Sequence, residues 1–123
     1  MYRVIAETAF SACHQLRDYE GTTERLHGHN WRVVVAVEGR ELSPEGYLVD
    51  FLQLQRRLET VRTRYEHELL NEIPPFDRVN PTAELLAREI AGQISDMLEA
   101  PGVHVAYVRV EEAPGCWAEY RPD

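Results

Sequence analysis

The chain has 123 residues, 44% of them hydrophobic and 28% charged, the balance of one soluble globular domain long enough to bury a real core. Its formal net charge of −8 argues against a general nucleic-acid binder, although a local group of arginines can still draw an anionic small molecule. All 13 basic residues are arginines, which excludes lysine Schiff-base chemistry and a G-x-x-x-x-G-K phosphate loop.

In chain order, Met1 to Ile5 has no signal-peptide pattern, and no apolar run approaches the roughly 20 residues of a membrane helix. A cytoplasmic protein with no membrane or nucleic-acid partner is expected, and Cys13 and Cys116 are then free thiols. Tyr2 to His14 reads as a strand of small and apolar residues, and the polar stretch Gln15 to Leu26 as a loop. His27 to Glu38 is the clearest strand: His27, His29, Trp31, Val33, Val35 and Val37 alternate onto one face, with Gly28 between the two histidines. Gly39 to Gly46 is a turn.

Asp50 is an N-cap, and Phe51, Leu54, Leu58, Val61 and Tyr65 form the apolar stripe of a helix. Pro74-Pro75 breaks the pattern. Asn80-Pro81 predicts a second helix start, with Asn80 as the cap and Leu86, Ile90, Ile94 and Met97 on the buried face. Val103 to Glu111 is a third strand, with Val103, Val105, Tyr107 and Arg109 predicted on one face, and Cys116 to Arg121 a short fourth. The order β-β-α-α-β-β predicts an α+β fold, a four-stranded antiparallel sheet with two helices on one face, as a single domain over 1–123. Its two sheet edges invite pairing with another subunit.

Three of the five histidines fall where a metal site would need them. His27 and His29 point the same way, and His14 closes the strand before them. Three imidazoles leave the fourth position of a tetrahedral Zn²⁺ open, the pattern of a catalytic site. Cys13, next to His14, points to the opposite face of a regular strand.

The segments Phe10-Ser11-Ala12-Cys13-His14, Leu26-His27-Gly28-His29-Asn30, Val49-Asp50-Phe51, Glu66-His67, Asn80-Pro81-Thr82-Ala83-Glu84 and Val110-Glu111-Glu112 occur in this order. Together they resemble the 6-pyruvoyltetrahydropterin synthase and 6-carboxytetrahydropterin synthase family, from about Ile5 to Tyr120. The resemblance implies a tunnelling fold (T-fold), in which subunits join sheets into a barrel, typically a homohexamer built as a dimer of trimers with active sites between subunits. It implies Zn²⁺ on His14, His27 and His29 and a substrate of the 7,8-dihydroneopterin triphosphate type. Glu112 matches the glutamate that holds the pterin ring, which suits a carboxylate accepting two parallel N–H bonds, and Thr82 would lie beside it. Glu66-His67 takes the place of the family's proton-relaying Asp-His pair.

One position departs from the pattern. The family's catalytic base is a cysteine four residues before the first histidine of the H-G-H pair, and Thr23 stands there. A threonine hydroxyl is a far poorer base than a thiolate. Glu24 is the next residue, and some family members carry a glutamate in place of the cysteine and cleave the side chain toward 6-hydroxymethyl-dihydropterin. Three readings follow: a lyase like 6-carboxytetrahydropterin synthase of queuosine biosynthesis, a side-chain-cleaving variant using Glu24 or His67 as base, and a zinc- and pterin-binding module without turnover. Arg17 and Arg25 flank the site as candidate triphosphate partners, and His104 matches no family position.

Overall fold

A computed structural model describes residues 1–123. It contains β1 (Tyr2–His14), β2 (His27–Gly39), α1 (Phe51–Tyr65), α2 (Ala83–Met97), β3 (His104–Ala113) and β4 (Cys116–Tyr120), with a 3₁₀ turn at Leu70–Glu72 between the helices. The strands form one antiparallel sheet in the order β1-β2-β3-β4, so β1 and β4 are its edges. Both helices pack on one face, and the predicted α+β architecture is the one found. Neither helix is long and apolar enough to cross a membrane.

The core lies between helices and sheet. Val33, Val35 and Val37 of β2 pair with Val110, Val108 and Val105 of β3 and meet Leu54, Leu58, Val61, Leu86, Ile90 and Ile94 from the helices. The helix-facing side of the long β1–β2 hairpin continues past this core, through Phe10 and Trp31, to the histidines at its end.

Four local expectations are corrected. Phe51 is 58% exposed in the first turn of α1, as is Leu52 at 60%, so the buried stripe starts at Leu54. Helix α2 starts at Ala83 with Thr82 as N-cap, its side chain accepting from Leu85 N. Asn80 is not the cap, because its amide is occupied by both backbone polar groups of Arg17, at 2.9 Å each. Met97 is only half-buried at the end of α2. In β3 the pairing shifts at the bulge between Ala36 and Val37, where Ala106 is the additional residue. The bulge inverts the alternation: Val105, Val108 and Val110 point inward, while Tyr107 and Arg109 turn to the other face.

Candidate metal centre and active site

Antiparallel pairing places His14 directly opposite His27 and Ala12 opposite His29. All four residues face the helices. Ala12 is small enough to leave the second position to the imidazole, and Trp31, fully buried, forms the floor. The Trp31 ring meets His14 and His29 edge-on, with centroids 4.9 and 5.5 Å away, and its indole N–H donates to Ala12 O. The ligand nitrogens of the three histidines lie within 4.8 Å of one another.

The tautomers make this cluster informative. His14 Nδ1 lies 2.9 Å from the Pro81 carbonyl and His27 Nδ1 lies 2.7 Å from the Arg25 carbonyl. A carbonyl only accepts, so in the neutral rings both protons sit on Nδ1 and both Nε2 atoms carry bare lone pairs. Those two Nε2 atoms face each other at 3.2 Å. His29 Nε2 is buried and has no hydrogen-bond partner. Two bare lone pairs facing each other beside a third, unpartnered imidazole nitrogen are unfavourable by themselves and suit a cation. The 3.2 Å separation is also close to the edge of a tetrahedron with Zn–N bonds of about 2.0–2.1 Å. The residues therefore fit zinc.

Burial holds the His29 imidazole below the usual histidine range; the Glu112 carboxylate opposes this, and His14 and His27 reinforce it. A depressed value keeps the ring neutral, the state in which it binds metal.

Two carboxylates border the triad. Glu112 Oε1 lies 3.7 Å from His14 Nε2, and Glu24 Oε1 lies 3.8 Å from His27 Nδ1. The loop is folded back so that Leu16 N–H donates to Glu24 Oε1 at 3.1 Å, and Gln15 Nε2 donates to the Glu24 carbonyl. Glu24 is thus held beside the Nδ1 edge of the His27 ring, whereas Thr23 is exposed. Beside Glu112 opens a cleft of about 480 Å³, bordered by Leu16, Thr82, Glu84, Cys116 and Trp117, a volume that suits a small heterocycle. Thr82, expected near the pterin, lines this cleft and caps α2 at the same time.

Glu66 and His67 stand apart. The backbone of 66–69 runs along the free edge of β1, with His67 N–H donating to Ser11 O and Cys13 N–H to Glu68 O. The His67 side chain is 81% exposed. Its cleft is lined by Ser11, Cys13, Gly28 and Asn30, from the sheet face turned away from the helices, and also by Ala12 and His29. None of the polar contacts of His67 reaches the triad. Cys13 lies on this outer face, as its place in the strand predicts, and both cysteines are free and exposed. Arg17 is occupied, donating through Nη2 to the Phe76 and Val79 carbonyls at 2.8 Å, and Arg25 is exposed. His104 sits at the far end of the sheet against Glu38.

Sequence reasoning did not single out Trp31 as the floor of the site, nor Leu16 N–H as the group that orients Glu24. The first was visible as an aromatic two residues after His29. The second depends on a loop closure with no local signal.

The 6-pyruvoyl tetrahydropterin synthase family model matches residues 3–123. The chain belongs to this family. It is 37% identical over 120 residues to the 6-carboxy-5,6,7,8-tetrahydropterin synthase of Bacillus subtilis, covering 91% of this chain and 80% of that one. It is 36% identical over 92 residues to a dihydroneopterin monophosphate aldolase of Pyrococcus furiosus, covering 75% of this chain and 74% of the other. The 6-pyruvoyl tetrahydropterin synthase structure of Caenorhabditis elegans superposes with a TM-score of 0.87 at 21% identity, over 99% of this chain and 96% of that one. The fold is therefore the tunnelling fold of this family, and the membership supports a lyase of pterin chemistry.

Proposed function

We propose that the protein is a zinc-dependent lyase acting on the side chain of 7,8-dihydroneopterin triphosphate or a closely related dihydropterin. The observation that carries this is the clustering of three histidines with Glu112 and Glu24 beside them, Glu112 also lining the neighbouring cleft.

Each residue has a task. His14, His27 and His29 would hold the metal, which as a Lewis acid makes protons next to a bound hydroxyl more acidic. Glu112, at the cleft, is placed to accept the amino and ring N–H groups of a pterin, while Trp117 exposes its ring in the same cleft. Glu24 is the base: Leu16 N–H holds one of its oxygens, and the other is free to take a proton. Thr23 supplies no such group.

His67 and Glu66 make no polar contact with the triad of their own chain, so we assign their part in proton transfer to the site of a neighbouring protomer. The β4 edge and the part of the β1 edge before Ser11 are suited to the sheet-to-sheet joining that would bring copies together as a dimer of trimers.

Two products are compatible with this machinery. The Bacillus subtilis relative supports a 6-carboxytetrahydropterin product, as in the route to queuosine. Glu24 and the Pyrococcus furiosus relative favour the second reading. There a carboxylate removes the proton of the hydroxyl on the second side-chain carbon, and the bond between the first and second carbons breaks. The outer fragment leaves as a phosphorylated aldehyde, and the electron pair passes into the ring system until the first carbon is reprotonated, leaving 6-hydroxymethyl-dihydropterin. Incubating zinc-loaded protein with 7,8-dihydroneopterin triphosphate and weighing the products by mass spectrometry separates them. A 6-carboxy or 6-pyruvoyl product supports the first, a 6-hydroxymethyl product the second, and binding without turnover would reduce the protein to a zinc and pterin binder.

A further inference from the structure

At the end of α1 three charged side chains and an imidazole form a row, Glu59, Arg62, Glu66 and His67. Arg62 grips Glu59 with two donors, Nε to Oε2 at 2.8 Å and Nη2 to Oε1 at 2.5 Å. This fork fixes the guanidinium plane and leaves Nη1, which donates to Glu66 Oε2 at 3.0 Å. The other oxygen, Glu66 Oε1, accepts from Ser11 N–H at 3.2 Å and lies 3.0 Å from His67 Nε2. Both oxygens of Glu66 are thus held, one by the helix and one by the sheet. A glutamate carboxylate otherwise swings on three torsions.

An i,i+4 ion pair on a helix is by itself unremarkable. Two observations set this one apart. Glu66 is the C-cap of α1, where the helix dipole opposes a carboxylate, so its place there depends on donors such as Arg62. The next residue, His67, adopts a φ of +60°, a conformation uncommon outside glycine, and this turn lays its exposed ring beside Glu66 Oε1.

We propose that Arg62 is a positioning residue for the His67 imidazole, acting through Glu66. The proposal rests on the reading that His67 moves a proton in the lyase reaction. The carboxylate fixed beside Nε2 favours the tautomer protonated there and so leaves Nδ1 as the accepting nitrogen. Without Arg62 only Ser11 N–H restrains Glu66, and the ring loses its orientation.

The test uses Arg62→Met, which keeps length and helix propensity, and Arg62→Lys, which keeps the charge but loses the fork. The expected result for Arg62→Met is a kcat roughly 10- to 100-fold lower. KM for 7,8-dihydroneopterin triphosphate should stay within about two-fold, as for a residue remote from substrate binding. Arg62→Lys should recover part of the loss. In parallel, ¹⁵N shifts of the His67 ring in the zinc-loaded protein should show the Nε2–H tautomer in the wild type and a mixture in Arg62→Met, a change that mere weakening of α1 would not produce. An unchanged tautomer in Arg62→Met, or an unchanged kcat while His67→Ala is inactive, overturns the positioning role. A fully active His67→Ala overturns instead the reading on which the proposal rests, and the proposal with it.

Discussion

Strand β2 carries a polar cluster at each end, and the two are built on opposite rules. At one end Glu38 accepts from Arg3 and lies against His104, so an acceptor meets donors, and its carboxyl is held below the usual range by Arg3 first and His104 next. Nothing is left over. At the other end His14 and His27 turn lone pairs toward one another, their donors pinned to the Pro81 and Arg25 carbonyls, and His29 Nε2 has no partner. Histidines and acidic residues occur at both ends, so composition does not distinguish them. Like polarity converging at a half-buried place does, an arrangement that a bound cation would satisfy.

Changes at the histidine end should have the largest effects. His14→Ala removes the most buried ligand, and we expect zinc content to fall from one ion per chain to none, with turnover lost. The affinity loss should exceed the roughly 10- to 100-fold typical of residues that only orient a metal ligand, measured by competition with a chelator. Next in size is Glu24→Gln, which keeps the shape and the Leu16 contact but cannot take a proton. It should lower kcat by roughly 10²- to 10⁴-fold with zinc content unchanged. An unaltered kcat would remove Glu24 from the role of base.

A smaller effect concerns pH. The folded His29 ring is harder to protonate than the unfolded one, so the metal-free protein binds fewer protons than its unfolded chain below the ordinary value of 6.5. Its stability should therefore decline as pH falls from 6.5 toward the lowered folded value, and His29→Gln should flatten that part of the melting-temperature profile. The smallest effect is expected at the other end of β2. Glu38→Gln weakens an exposed ion-pair cluster and should leave zinc content and turnover at wild-type levels with little change in melting temperature. A large loss of zinc there would break the contrast between the two ends.

Much of this was legible in the sequence because it depends on short-range periodicity. The limits of β1, the common face of His27 and His29, the Asp50 cap and the opposite facing of Cys13 all follow from alternation or from a local cap. What escaped depends on partners distant in the chain. Asn80 has the character of an N-cap, but the backbone of Arg17, 63 residues away, takes its amide, and the cap passes to Thr82. The strand faces of β3 were misassigned after Ala106, because a bulge is a property of the pairing and not of one strand. The tautomers of His14 and His27 depend on carbonyls that only the folded loops supply.

The most direct measurement is the visible absorption of the protein titrated with Co²⁺ in place of Zn²⁺. The account predicts saturation at one ion per chain with the intense bands of a four-coordinate site, displaced by zinc and absent in His14→Ala. Weak bands of a six-coordinate ion, or a spectrum unaffected by His14→Ala, would contradict it.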